Sequence, residues 1–255
     1  MLIDLHVHTT RYSRCARSSP DEMMEAAQAA GLDAVVITEH HVTWSEDEIR
    51  ALRRNHPGLR IFRGMEITTD GGRADIVVLG VDQPEVLERD MRPHDAVRRI
   101  HEAGGTAVLA HPFRLHGVIP AEFMIEPPDA YEAMSLNMPL FSRRQATTLE
   151  RVMPSAHPLA ASDAHRTLGL GAYAIRLEGE AANEAEVAAA VAAGEFRVVT
   201  DFGRLHERYP HWEQLQGRVR ALAQAGGSLL TIQHETGYSR SLVRYVLEGG
   251  DLLGW

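Results

Sequence analysis

The chain of 255 residues is poor in cysteine and lacks lysine altogether: Cys15 is its single cysteine, and all 26 of its basic residues are arginine. One cysteine excludes an intramolecular disulfide and a zinc site built of cysteines alone. The missing lysine excludes a P-loop, a Schiff-base enzyme and a kinase that holds ATP through a strand lysine. A bound metal ion would therefore need histidine and carboxylate ligands.

Positive charge and long apolar segments are scarce as well. The 35 acidic residues leave a net charge of -9, so a nucleic acid would have to meet a local basic patch. No apolar run approaches the ~20 residues that cross a bilayer, and the first residues lack the pattern of a secretion signal. We expect a soluble, cytoplasmic protein with no membrane partner, and the sequence leaves its oligomeric state open.

The remaining pattern is that of a globular α/β protein. Apolar, β-branched runs alternate with stretches of helical periodicity, as in the βα units of a barrel or of an open, doubly wound sheet. No GxGxxG follows the first strand to favour a nucleotide-binding sheet. Strands are predicted at Leu2–Val7, Ala34–Thr38, Arg60–Met65, Asp75–Val81, Thr106–Ala110, Ala130–Met134 and Pro158–Ala161. Helices are predicted at Pro20–Ala30, Ser45–Asn55, Pro93–Ala103 and Arg143–Val152, with an outer helix at Glu180–Ala193.

A change of composition near Thr200 separates a tail, residues 201–255, from the rest of the chain. Its polar first segment, Asp201–Pro210, is predicted to be a linker. Three predicted helices follow, at His211–Ala225, Leu229–Glu235 and Ser239–Leu247.

The last two tail helices have the spacing of a helix-turn-helix, because only a short turn that contains Gly237 joins them. In that arrangement Ser239, Arg240 and Arg244 would face DNA. The tail nevertheless holds six arginines and six acidic residues, which is a weak electrostatic basis for binding phosphates. A bundle that packs on the rest of the chain or on a second copy is an equal alternative.

Acidic and imidazole side chains follow the carboxyl ends of the predicted strands. In a (β/α) barrel those ends open on one face, where the fold places its active site. Five strands deliver such residues, namely Asp4, His6 and His8; Glu39, His40 and His41; Glu66; His111; and Asp163 with His165. The sequence therefore predicts a group of ligands at the mouth of a barrel.

Metal binding is the chemistry that this group fits. His6 and His8 are two residues apart, a spacing that points both imidazoles to one side of a strand. Mixed histidine and carboxylate ligands suit Zn, Mn or Fe, and a carboxylate such as Glu66 can bridge two ions. Two neighbouring ions activate water and stabilise phosphoryl oxygens.

Five segments, in this order, carry a family resemblance: Asp4-Leu5-His6-Val7-His8-Thr9, Ile37-Thr38-Glu39-His40, Gly64-Met65-Glu66, Leu109-Ala110-His111-Pro112 and Ser162-Asp163-Ala164-His165. Together they resemble the PHP (polymerase and histidinol phosphatase) family of metal-dependent phosphoesterases. The resemblance covers about residues 1–200. It implies a distorted (β/α)7, TIM-like barrel over residues 1–200, with a small C-terminal helical extension and two or three divalent metal ions (Mn, Zn or Fe) at the mouth.

The resemblance also implies a ligand set for each ion. The first ion would bind His6, His8, Glu66 and Asp163. Glu66 would bridge to a second ion that also binds His111, and a third ion would bind His40 and His165.

Two positions depart from the family pattern. Asp75 stands where the family has a histidine, and we expect this carboxylate to bind the second ion. Arg14-Cys15 replaces a stretch that contains an aspartate ligand of the third ion. Either the thiolate of Cys15 takes over as that ligand, or the third site is weak or empty.

A phosphate ester also needs cationic donors, and a guanidinium can contact two phosphate oxygens at once. Arginines next to the metal motifs or on loops of the same face are catalytic and substrate-binding candidates: Arg17, Arg114, Arg143 and Arg166. Asn137 is a further substrate-binding candidate. His41 is expected to protonate the leaving group or to support a ligand.

The leading hypothesis is a hydrolase that cleaves a small phosphomonoester with metal-activated water. An alternative substrate is the 5′ end of an oligonucleotide, which would make the protein an exonuclease. In an alternative of another class, the barrel is a sensor or a degenerate phosphatase and the tail binds DNA as a regulator.

Overall fold

The computed structural model of the protein describes residues 1–82, 84–114, 116–138, 143, 145–208, 211–237 and 240–249. The strands of this part are Leu2–Val7 (β1), Ala34–Ile37 (β2), Arg60–Thr69 (β3), Ala74–Leu79 (β4), Thr106–Ala110 (β5), Ala130–Met134 (β6), His157–Ala160 (β7), Tyr173–Leu177 (β8) and Phe196–Thr200 (β9). Its α-helices are Pro20–Ala29 (α1), Glu46–Asn55 (α2), Pro93–Glu102 (α3), Leu149–Val152 (α4), Glu184–Ala192 (α5), Phe202–Arg208 (α6), Trp212–Gln224 (α7), Leu229–Thr236 (α8) and Arg240–Leu247 (α9).

The strands form one sheet in the order β7-β6-β5-β4-β3-β2-β1-β8-β9. Neighbours are parallel from β1 to β3 and from β5 to β7, whereas β4, β8 and β9 run antiparallel to the strands beside them. Beyond β7, Ala164 pairs with the end of β1, where the backbone N–H of His8 donates to the carbonyl of Ala164 at 2.9 Å. This pairing nearly closes the sheet and confirms the predicted α/β barrel class.

The barrel interior is apolar, and helix α5 fills one end of it. Val187, Ala188 and Val191 of α5 pack in the same buried cluster as inward-facing strand residues such as Leu5 and Val36. Helix α5 can lie this close to the chain at the end of β4 because Gly80 has no side chain. A Cβ added at Gly80 would lie 2.7 Å from the Cβ of Ala188 in α5. The prediction of an outer helix at Glu180–Ala193 is therefore wrong. Helices α1 to α3 instead cover the outer faces of the strands.

The prediction of seven strands misses β8 and β9. Strand β9 is the outermost strand of the sheet, and Arg197 and Val198 at its centre are exposed. It therefore lacks the continuous apolar run that marks a buried strand. Strand β3 is also longer than predicted, because β4 pairs antiparallel with it as far as Thr69. Glu66 consequently lies within a strand and not after one.

The predicted linker over Asp201–Pro210 is wrong for its described part. The side chain of Asp201 accepts a hydrogen bond from the N–H of Arg204 at 3.1 Å and starts helix α6. Leu205 of this helix is buried against Met134 and Tyr173. The predicted helix at Arg143–Val152 is interrupted as well, because Thr147 and Thr148 form a turn before α4. Residues 139–142, 144, 209 and 210 lie outside the described residues.

Helices α7, α8 and α9 share a buried cluster of their own. Its members are Trp212, Val219, Ile232, Val243, Tyr245 and Val246.

No helix within the described ranges is both long and apolar enough to span a membrane.

Local capping signals set the start of the first two helices. Ser45 caps α2, where its hydroxyl accepts from the N–H of Glu48 and the Glu48 carboxylate accepts from the N–H of Ser45 at 3.1 Å. The same carboxylate accepts hydrogen bonds from Tyr12 and Arg11. These bonds tie the start of α2 to the loop that follows β1.

We predict that Glu48→Gln lowers the free energy of unfolding by about 1 kcal/mol at pH 7. The hydrogen bonds from Tyr12 and Ser45 lower the pKa of Glu48 to about 2. Because the folded-state pKa lies below the unfolded value of about 4.3, the stabilisation is complete above that value and is lost as the pH falls towards 2. Urea denaturation of both proteins from pH 7 downward tests this. A difference that does not shrink below about pH 4 would contradict it.

Candidate metal centre

Two histidines on β1 form the base of the site. The register of β1 shifts between Asp4 and Val7, and such a bulge re-aims the side chains that follow. Leu5 faces the interior and Val7 packs on the outer helices. The Nε2 atoms of His6 and His8 lie 3.0 Å apart, and both residues are fully buried.

Glu66 and Asp163 complete this first cluster (His6, His8, Glu66 and Asp163). The Nε2 atom of His8 lies 3.2 Å from Glu66 Oε2 and 3.3 Å from Asp163 Oδ1. Both oxygens are buried, and neither makes a hydrogen bond with acceptable angles within the described part of the chain. The donor atoms are thus close together without being aligned on one another. This arrangement fits ligands that share a cation.

A second cluster (Glu66, Asp75 and His111) lies on the other side of Glu66. Its Oε1 atom is 2.9 Å from Nε2 of His111, and Asp75 Oδ2 is 3.9 Å from the same nitrogen. Asp75 reaches this edge because β4 is antiparallel, so its first residues pair with the end of β5 at Ala110. Since the two oxygens of Glu66 face different clusters, this carboxylate has the geometry of a bridging ligand.

A third cluster (His8, His40 and His165) is made of imidazoles. The ring of His8 lies 4.5 Å from that of His40 and 4.3 Å from that of His165, measured between centroids. Nδ1 of His40 is 2.8 Å from Glu66 Oε2, whereas its Nε2 is 3.2 Å from Sγ of Cys15. Cys15 belongs to none of the ligand groups found among the described residues. Burial and then nearby carboxylates raise the pKa of its thiol, which disfavours the thiolate.

The clusters are electrostatically coupled. Burial opposes charge on His6, yet the carboxylates of Asp163, Glu132 and Glu66 raise its pKa well above the usual value. Burial likewise opposes charge on Glu66, and its contacts with His6 and His111 outweigh this and hold its pKa well below the usual range. The carboxylates are therefore ionised, and a bound cation would replace the protons that the imidazoles otherwise carry.

Glu132 on β6 contacts two of the candidate ligands, and the sequence analysis did not single it out. Its Oε1 atom is 2.6 Å from Nδ1 of His6, and its Oε2 accepts from the backbone N–H of His111 at 2.7 Å. A neutral His6 that donates from Nδ1 presents the lone pair of Nε2 to the first cluster. A buried carboxylate in the middle of an apolar strand, Ala-Tyr-Glu-Ala-Met, was the available signal.

His8 is oriented in the same way by a longer chain of contacts. Ser13 donates its hydroxyl proton to Glu39, and its oxygen lies 3.1 Å from Nδ1 of His8. A neutral His8 therefore donates from Nδ1 and leaves Nε2 free.

Asp4 lies outside the clusters, and its carboxylate accepts hydrogen bonds from the backbone N–H groups of Ser162 and Gly171. It thus anchors β1 to the loop that carries Asp163.

The structure places the predicted arginines differently from one another. Arg114 is half-buried, with Nη1 3.4 Å from Nε2 of His111, and lines an open pocket beside the second cluster. Arg17 and Arg166 are exposed and lie next to His165 along the backbone: the N–H of Arg17 donates to the His165 carbonyl, and Arg166 follows His165 in the chain. Arg143 is not at the site, because its guanidinium contacts the Ser135 carbonyl and lies over the Tyr173 ring.

The other two candidates contact the site from the side. The amide of Asn137 donates to Oδ2 of Asp163 at 2.8 Å and orients this ligand. Nε2 of His41 accepts from the N–H of Thr68 at 3.3 Å, and burial together with Arg89 lowers the pKa of the imidazole. His41 is therefore neutral, with its proton on Nδ1.

Comparisons with known proteins identify a family and several solved structures that this chain resembles. The PHP domain model matches residues 4–166. An uncharacterised protein of Methanocaldococcus jannaschii, MJ1587, is 27% identical over 123 residues, which are 44% of this chain and 68% of that protein. A two-domain protein of Bacteroides vulgatus that contains a PHP-like metal-dependent phosphoesterase is 17% identical, with a TM-score of 0.60 over 78% of this chain and 64% of that one. PfuEndoQ, a lesion-specific endonuclease of Pyrococcus furiosus, is 16% identical, with a TM-score of 0.53 over 77% of this chain and 57% of that one.

The barrel and its clustered histidines and carboxylates define a metal-dependent phosphoesterase, and the protein is thus an enzyme. The chain belongs to the PHP domain family, since the family model matches more than half of it.

Proposed function

We propose that the protein hydrolyses a small phosphomonoester. The observation that carries this proposal is the position of Glu66, whose two oxygens face separate groups of buried imidazoles. His6, His8, Glu66 and Asp163 would hold one ion, and Glu66, Asp75 and His111 a second. When bound, these ions would lower the pKa of a water molecule and offset the charge on phosphoryl oxygens.

The types of candidate ligand indicate which metals the sites could hold and which residues could bind a third ion. Neutral imidazole and carboxylate suit Mn, Zn and Fe alike. His8, His40 and His165 would hold a third ion, and His8 would be shared with the first site. Cys15 contacts His40 from outside this group, so we do not assign it as a ligand.

The protein's own residues would bind and orient the ester. Arg114 lies beside His111, so its guanidinium would contact a phosphate bound between the first two sites. The pocket beside it is also lined by Arg73 and His116, with Phe113 and Ile119 on its walls. His41 is neutral and accepts a hydrogen bond from Thr68, and a neutral imidazole is a poor general acid. We therefore propose that His41 supports the edge of the site and does not protonate the leaving group.

A second candidate substrate is the 5′ end of an oligonucleotide. The observation that favours it is the pair of exposed arginines, Arg17 and Arg166, that neighbour His165 along the backbone. Two exposed arginines beside a candidate metal ligand could contact successive phosphates of a strand.

One assay separates the two substrates. A 5′-end-labelled oligonucleotide is incubated with purified protein and Mn2+, with an EDTA control, and the products are run on a denaturing gel beside a panel of small phosphate esters. Turnover of the small esters alone would support the first proposal, and labelled mononucleotide would support the exonuclease. If neither substrate reacts in an EDTA-sensitive way, the proposed function is wrong.

We predict that Arg114→Ala lowers kcat/KM by about 10- to 100-fold, because a charge-assisted hydrogen bond to phosphate contributes roughly 1.5 to 3 kcal/mol. Metal content should stay unchanged, since Arg114 is not a ligand. Steady-state kinetics and metal analysis measure the two effects, with the exposed Arg54→Ala as a matched control. Unchanged kinetics would remove Arg114 from the binding site.

A further inference from the structure

The three tail helices form a unit that the barrel chemistry does not use. Helix α9 packs against both α7 and α8, and the buried cluster of Trp212, Ile232 and Val243 joins all of them. Three helices with a common core are the minimal scaffold of a helix-turn-helix domain.

The connection between the last two helices has the expected form. Ser228 caps α8 by accepting from the N–H of Thr231 at 3.1 Å. Helix α8 ends at Thr236, and the next residue, Gly237, has a left-handed φ of 70° that favours glycine. Helix α9 begins at Arg240, three residues further along the chain. Tyr238 and Ser239 lie outside the described residues, so the candidate DNA contact Ser239 is not part of the proposed surface.

Helix α9 separates an apolar face from a basic one. Val243, Tyr245 and Val246 are buried in the unit. Arg240 and Arg244 are exposed and four residues apart, which places them on one face of the helix. Between residues 240 and 247 there is no acidic residue. Neither arginine forms an ion pair with any described residue, so both guanidinium groups are available to a ligand.

We propose that the exposed face of α9 binds duplex DNA, with Arg240 and Arg244 contacting the backbone or the base edges of the major groove. The helix after the turn is the one that a helix-turn-helix inserts into this groove. The tail has no net charge over residues 201–255, but among its described helices α9 carries two arginines and no acidic residue, whereas the others each carry one acidic residue. That complementarity favours a polyanion over an apolar partner. The binding is independent of which ester the barrel hydrolyses.

The test is fluorescence anisotropy of the full-length protein with a labelled duplex of about 30 base pairs and random sequence. EDTA is present to prevent cleavage of the probe, and circular dichroism confirms that the protein stays folded. We expect binding at low salt. The logarithm of the association constant should fall linearly with the logarithm of the salt concentration. The double variant Arg240→Ala/Arg244→Ala should bind at least about 10-fold more weakly and with a salt slope smaller by about two, since each phosphate contact contributes about 0.9.

Arg54→Ala, on α2 of the barrel, is the matched control and should bind like the unmodified protein. Three results would overturn the proposal: no binding at low salt, binding that the double variant retains, or an equal loss with Arg54→Ala. Gel filtration of the double variant adds a fourth, because a change of oligomeric state without a change in DNA affinity would identify the α9 face as a contact between copies.

Discussion

Replacing Glu66 by glutamine is expected to reduce phosphate-ester hydrolysis by at least about 10³-fold, because the metal ions contribute several kcal/mol of charge stabilisation and each 1.36 kcal/mol is a factor of ten. Glu66 lies between the first and second clusters, with Oε1 2.9 Å from His111 and Oε2 3.2 Å from His8. An amide has the same shape but carries no charge. It cannot bridge two cations, so both sites should lose affinity together.

Two measurements check this expectation. Metal analysis of the purified variant should show a loss at both of the first two sites, and kinetics should show the loss of turnover. Circular dichroism should be unchanged, because the substitution keeps the volume of a fully buried side chain. The exposed Glu25→Gln is the matched control. Retained metal and retained activity in Glu66→Gln would refute the shared site, and His6→Ala and Asp163→Ala should agree with it in direction.

The second large effect is expected at Glu132, which contacts no substrate. Glu132→Gln should weaken metal binding or activity by about 10- to 100-fold, the usual cost of removing the partner of a ligating histidine. The carboxylate accepts from His6 on one oxygen and from the backbone of His111 on the other. Glutamine keeps only one acceptor oxygen, so one of these contacts becomes an amide that faces another donor.

Chelator competition with Zn2+ and with Mn2+ measures this loss directly, without relying on turnover. A positioning role predicts weaker binding of both metals, and it also predicts partial rescue of activity at high metal concentration. A variant that binds metal with normal affinity but is inactive would instead place Glu132 in the reaction itself. Glu25→Gln again serves as the control for a change of net charge.

How well the site could be predicted depends on how close its residues lie to one another in the sequence. His6 and His8 are two residues apart, and in the structure their Nε2 atoms lie 3.0 Å apart after a register shift in β1. The other candidate ligands were predicted from a shared pattern of strand ends and from the family resemblance, and all except Cys15 lie in the clusters. Arg143 is different, because its predicted place rested only on a loop of the same face. In the structure a carbonyl and the ring of Tyr173 hold it elsewhere.

The predicted fold failed at elements whose stability comes from distant partners. Strand β9 is partly exposed and forms by pairing with β8, so its own residues carry a weak signal. Helix α6 is short and has more polar than apolar residues, and the burial of Leu205 against the barrel is what accounts for it. Helix α5 is apolar enough to be predicted, but its place inside the end of the barrel depends on the space left by small residues such as Gly80.

By itself, the sequence determined an α/β class and a candidate metal site of histidines and carboxylates, because these follow from residue types at short, periodic spacings. The distorted barrel and the ligands of each ion came from the resemblance of five short segments to the PHP family. Only the tertiary structure decided that Glu66 lies between two clusters, that the antiparallel β4 brings Asp75 beside His111, and that Glu132 orients His6. Each of these depends on contacts between residues far apart in the chain. Such contacts are set by sheet order and burial, which periodicity along the chain does not encode.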